Sequence, residues 1–132
     1  MKKIIIILIS FILPGITHAH QCKYYFNLLN QLEIQIDVAA ENIANADTTS
    51  SNDGNPYRKK LVFCHESDCE ITSEDSFIDR YQPGHPQANA EGHVLFPKIN
   101  VTSEMALLIG LQHTYESILN IMNVKNCTLA MR

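Results

Sequence analysis

"ENIANADTTSSNDGNPYRKK" (residues 41–60) marks a deliberate stop. Helix-forming residues run up to Asn45, Ala46 and Asp47; Thr, Ser, Asn, Asp, Gly and Pro follow, with almost nothing apolar until Leu61. The short polar side chains of Asn42, Asn45 and Asp47 suit a helix end, where they cap the last turn or form Asx turns. The fold therefore turns on what precedes this stop and what returns at the far end of the chain.

Before it, apolar residues fall at Tyr25, Leu29, Leu32, Ile36, Ala39, Ile43 and Ala46, alternating steps of four and three. That spacing fits either an amphipathic helix on a core or a strand of a coiled coil. The same steps return at Val101, Met105, Leu108, Gln112, Tyr115, Leu119 and Met122, with one polar intruder. Leu107, Leu111, Ile118 and Ile121 widen that apolar face. Asn100 is placed to N-cap this second helix, and Glu104 adds negative charge to its first turn. The expected helices cover 24–46 and 100–127, paired with each other. If they run antiparallel, Cys22 and Cys127 meet at one end of the hairpin.

Residues 47–99 have another texture. "YRKKLVFC" is rich in strand formers, which predicts a strand over 57–64, and His93–Phe96 reads as a second, closed by Pro97. Pro83-Gly84, Pro86 and Glu91-Gly92 punctuate the stretch between them. The expectation is a mainly α chain with a small β region, a short β-hairpin or extended insert between terminal helices.

The first nineteen residues stand apart. Lys2 and Lys3, an apolar run from Ile4 to Leu13, and Thr17 and Ala19 at the −3 and −1 positions read as a cleaved secretory signal. The run is about ten residues, short of the ~20 that span a bilayer. Residues 20–132 then form one domain, with no membrane span in the mature chain. Losing both lysines leaves 8 basic against 14 acidic side chains, which argues against nucleic acid or anionic lipid as a partner. The four cysteines all lie beyond the signal, and in an exported chain they read as two disulfides with three possible pairings. The helix pairing favours Cys22–Cys127, and a Cys64–Cys69 bridge across "HESD" would pin a tight turn.

Signs of catalysis are thin. There is no phosphate-binding glycine loop, no G-x-S-x-G, no H-E-x-x-H and no C-x-x-C. Cys64 and Cys69 fit a disulfide better than a metal site. His20, as a new N-terminus, could chelate copper with a second imidazole from His65, His85, His93 or His113. The flanking prolines of His85 favour a structural role. No cofactor and no metal is expected.

Four segments resemble one family. "ENIANADTT", "NPYRKK", "PGHPQANAEGHVLFPKINVTSEMALLI" and "TYESILNIMN" are similar, in this order, to the proximal-rod FlgC family of the bacterial flagellar basal body. The resemblance covers roughly residues 25–126. It implies a structural subunit whose terminal helices pack as an antiparallel coiled-coil hairpin and stack with neighbours into a tube in the periplasm. Partners would be other rod and basal-body proteins and copies of itself. The assembly motif would comprise Asn42, Ala44, Asn45, Ala46, Asp47, Thr48 and Thr49 at the turn-out. Pro83, Gly84, His85, Pro86, Glu91 and Gly92 would form its second part, with Asn100 and Glu104 opening the last helix. The secretory signal and the cysteines depart from the family pattern. They raise a second reading, a periplasmic binding or adaptor module that kept the fold and left the flagellum.

Overall fold

The computed structural model describes the backbone of residues 2–127 and the side chains from Ala19 to Cys127. Helix α1 (Lys2–Ala44) and helix α2 (Val101–Val124) flank four strands, β1 (Lys59–His65), β2 (Asp68–Glu74), β3 (Phe77–Tyr81) and β4 (His93–Pro97). The insert is two antiparallel hairpins, β1 with β2 and β3 with β4, rather than the single one expected. Sequence pattern revealed β1 and β4 because they carry apolar runs. It missed β2, "DCEITSE", whose acids line one face of an exposed strand, and the equally exposed β3. The first strand begins at Lys59, two residues later than its composition suggested.

Helices α1 and α2 pack against each other in opposite directions. One end is fixed by the Cys22–Cys127 disulfide, with Cα atoms 5.2 Å apart, and at the other end Asn42 meets Glu104. Around the disulfide, Cys22, Leu29, Met122 and Cys127 form a buried cluster, with Tyr25, Tyr115 and Ile118 packed on it. Leu32 and Ala39 continue the buried row along α1 and Ala46 extends it just past the helix end, while Ile36 and Ile43 are half-buried.

On α2 the inward row differs from the sequence expectation. Val101, Glu104, Leu108, Leu111, Tyr115, Ile118 and Met122 face inward, whereas Met105 (49% exposed), Leu119 (38%) and Gln112 face outward. Both rows share residues 101, 108, 115 and 122 and differ only in which neighbour fills the gaps. This helix is apolar on several sides, so periodicity could not choose between them. The rotation observed places Glu104 in an ion pair with Lys59 and turns Met105 to solvent.

The ends of α2 are well terminated. The Asn100 side chain accepts from the Ser103 N–H at 3.1 Å, satisfying one free donor of the first turn. At the C-terminus Lys125 N–H donates to the Ile121 carbonyl, and Asn126 takes a left-handed φ of 53° that stops the helix. Among the described residues no helix is long and apolar enough to cross a membrane.

Candidate functional site

Asn42 stands where α1, α2 and β1 meet, and it is 1% exposed. A lone Asn on a helix face must find partners when buried, because each unpaired polar atom costs about 1–3 kcal/mol. Here all four of its hydrogen-bonding positions are used. Its Oδ1 accepts from the Lys60 backbone N–H at 2.9 Å and from the Tyr57 hydroxyl at 3.0 Å. Its Nδ2 donates to the Lys60 carbonyl at 2.9 Å and to Glu104 Oε2 at 3.5 Å. The side-chain amide thus pairs with Lys60 as a neighbouring strand would, and pins the first hairpin to the helix.

The surrounding charges close the junction. Glu104, itself buried, takes Lys59 Nζ at 2.8 Å, and Lys60 Nζ reaches Glu41 at 2.5 Å. Burial, and then the carboxylates of Glu41 and Glu104, push the Tyr57 hydroxyl up to about 12. The phenol is therefore held in its neutral, donating form.

Asn45, rather than Asn42, ends the helix. Its Nδ2 and its backbone N–H both reach the Glu41 carbonyl, at 2.9 Å and 3.0 Å. Its Oδ1 accepts from the Thr48 hydroxyl at 3.2 Å, and the Thr48 carbonyl accepts from the Tyr57 N–H, closing the intervening loop. Within that loop the Asp53 carboxylate accepts from the Asn55 N–H and side chain, which hold its pKa below the usual value. Ala44 is exposed and Ala46 buried; Asp47, exposed, faces Arg80 at 3.6 Å.

The second part of the motif builds the β3–β4 connection. Gln82 N–H donates to the Gly92 carbonyl at 2.8 Å, and His85 N–H to the Gln82 carbonyl. Pro83, Gly84, Pro86 and Glu91 are exposed on this loop. Gly92 has a φ of +82°, and a Cβ there would lie 2.9 Å from Tyr81 Cε2 and 3.0 Å from Pro83 Cβ. Both facts demand glycine. The His85 Nδ1 accepts from the Gln87 N–H at 3.1 Å, and its ring edge meets Phe96, so it serves the turn.

Two organisers escaped sequence reading. Asn89 accepts from the N–H groups of Glu91 and His93 at 3.1 Å and 2.8 Å, folding the loop around itself. Tyr57 read as a strand residue, although it lies before β1 and holds Asn42. Its place between Pro56 and the basic run gave no sign of a buried hydroxyl. The Arg80–Asp47 pair links the first part of the motif to β3, the strand that leads into the second, and Arg80 also lies over the Phe96 ring at 4.5 Å. The predicted cysteine positions hold disulfides at Cys22–Cys127 and Cys64–Cys69. Among the described residues no group of three His, Cys, Asp or Glu side chains is placed to hold a metal. The arrangement is mechanical: it fixes a hairpin and a loop on the end of a helix pair.

Comparison with known proteins agrees with that character. The family described as Flagella basal body rod protein matches residues 29–50, which include Asn42, Asn45 and Asp47. The flagellar basal-body rod protein FlgC of Yersinia enterocolitica is 34% identical over 102 residues, covering 67% of this chain and 75% of the relative. FlgC of Salmonella typhimurium is 31% identical over 103 residues, with the same two shares, 67% and 75%. FlgC of Bacillus subtilis is 28% identical over 135 residues, covering 81% of this chain and 90% of the relative.

Proposed function

As a member of the FlgC family of flagellar basal-body rod proteins this chain is a structural rod subunit rather than an enzyme, and we propose that it assembles as an antiparallel coiled-coil hairpin whose outer faces meet neighbouring subunits. The observation that carries this reading is the exposed apolar surface on both flanks of α2. Met105 (49% exposed) and Ile109 (55%) stand on one flank and Leu107 (51%) on the other, although the helix has already filled its inward row against α1. Apolar surface on that scale marks a contact awaiting a partner. The partners are other basal-body rod proteins and copies of this chain. The Asn42 junction and the loop after Asn45 form the turn-out that presents the insert to them.

The route to the rod is part of the proposal. A signal cleaved after Ala19 would deliver the chain to the periplasm, where the two disulfides form. The Cys22–Cys127 bond then fixes the helix pair before assembly. The same bond favours the second reading, a periplasmic binding or adaptor module of rod fold, because a pre-locked hairpin has less freedom to intercalate among neighbours.

Isolated basal bodies from the source cell, searched by peptide mass spectrometry without reduction, separate the two. A chain beginning at His20 and carrying a linked Cys22–Cys127 peptide is expected there. Its presence only as free periplasmic protein, beside intact basal bodies, would establish the adaptor reading. Leu32→Asp or Leu108→Asp is expected to abolish incorporation by burying a charge between the helices.

A further inference from the structure

The β1–β2 hairpin has two long edges, and only one is covered. Lys60 turns its backbone N–H and carbonyl to Asn42, away from β2. The Lys60–Ser73 pair is therefore a non-hydrogen-bonded one, and so are Val62–Ile71 and Cys64–Cys69, at steps of two along the same register. On the β1 side α1 covers the edge, with Gln31 Nε2 donating to the Glu66 carbonyl beyond Asn42's pair. On the β2 side the outward backbone groups belong to Cys69, Ile71 and Ser73. Among the described residues no strand pairs with them, and none of them takes part in a backbone hydrogen bond outside the hairpin.

The side chains beside this edge alternate in chemistry. Asp68, Glu70 and Glu74 share one face with Thr72, all exposed or half-exposed, and among the described residues none of the three carboxylates has an ion pair. The other face carries Ile71, 50% exposed, between the disulfide and Ser73. The nearby basic residues are already engaged: Lys59 with Glu104, Lys60 with Glu41 and Arg58 with Asp75. A second copy of β2 fits poorly, since antiparallel pairing about Thr72 would set Glu70 opposite Glu74 of the copy. Like charges directly opposite each other disfavour such pairing.

We infer that the free edge of β2 is a docking site for an extended segment of another protein, one that alternates basic with apolar residues. Such a segment adds a third strand. Its main chain pairs with Cys69, Ile71 and Ser73, its lysines or arginines lie beside Asp68, Glu70 and Glu74, and its apolar residues cover Ile71. The inference concerns the hairpin alone and does not depend on what covers the helices.

The test uses the oxidised chain and a blocked eight-residue peptide alternating lysine with valine and threonine. Binding is followed by fluorescence anisotropy, and edge occupancy by hydrogen exchange at single amides. The expected result is saturable binding that slows exchange at Ile71 and Ser73, while a peptide with glutamate in place of lysine does not bind. Ser73→Pro removes an outward N–H without touching the hairpin's own ladder, and should weaken binding about tenfold. The pair Glu70→Lys and Glu74→Lys, which leaves every backbone group in place, should exchange the preference to the glutamate peptide. No binding, or binding that leaves the Ile71 and Ser73 amides unprotected, would overturn the site. So would Ser73→Pro binding as tightly as the parent while the charge-reversed chain keeps its taste for lysine.

Discussion

Asn42 shows how one side chain can join three elements. Its amide satisfies both backbone groups of Lys60, the Tyr57 hydroxyl and Glu104, so removing it orphans several partners at once. Asn42→Ala should destabilise the chain by about 3 kcal/mol, read from chemical denaturation. Asn42→Asp should cost more than alanine despite its matching shape. It loses both donors and sets a carboxylate where the present amide lies 3.5 Å from Glu104 Oε2. The Tyr57 phenol gives a pH signature. Its folded value of about 12 lies above the ordinary 10.0, so the neutral form is the one folding favours. The stabilisation is complete below the unfolded value and is lost as pH rises from about 10 towards 12. Tyr57→Phe should abolish that alkaline loss, and phenolate absorbance should lose a late-titrating component in the variant. In the sequence, Asn42 was recognisable as part of a motif, but its role was not. A polar residue two positions before the end of a helix reads as a cap until its burial is known.

At the scale of elements, the turns were legible and the rotation of α2 was not. Gly92 announced a turn from its place after Glu91, and its +82° φ and crowding by Tyr81 and Pro83 explain why no other residue serves. Gly92→Ala should cost about 2 kcal/mol and speed hydrogen exchange at Gln82, whose N–H bonds to the Gly92 carbonyl. On α2, the alternatives 104/111/118 and 105/112/119 lie one residue apart on an apolar helix, and spacing could not separate them. Leu108 belongs to both rows and Met105 only to the one that faces solvent. Leu108→Asp should therefore lower the stability of the isolated chain by about 2 kcal/mol, whereas Met105→Asp should change it by no more than about 0.5 kcal/mol. Thermal denaturation of the two variants side by side checks the assignment. Strands β2 and β3 hid for a related reason: an exposed strand has no need of the alternating apolar residues by which strands are found.

For the whole molecule, the two disulfides differ in reach. Cys22 and Cys127 are 105 residues apart and close nearly the entire described chain, whereas Cys64 and Cys69 are 5 apart and close only a hairpin tip. Chain-entropy reasoning gives about 4–5 kcal/mol for the long loop and about 2 kcal/mol for the short one. Replacing Cys22 and Cys127 by serine should accordingly lower the denaturation midpoint far more than replacing Cys64 and Cys69, and selective reduction should give the same order. By itself the sequence determined that a helix stands on either side of a polar and β-rich insert, the stop after the first, the turn residues and the family resemblance, because each rests on local spacing or backbone preference. It placed the start of the first helix at residue 24, whereas α1 already begins at Lys2. Only the tertiary structure decided which side of α2 faces inward, that Asn42 is a buried tether, and that β2 leaves an edge free. Those outcomes depend on which groups from distant parts of the chain meet, and the ion pair of Lys59 with Glu104 joins residues that no local pattern connects.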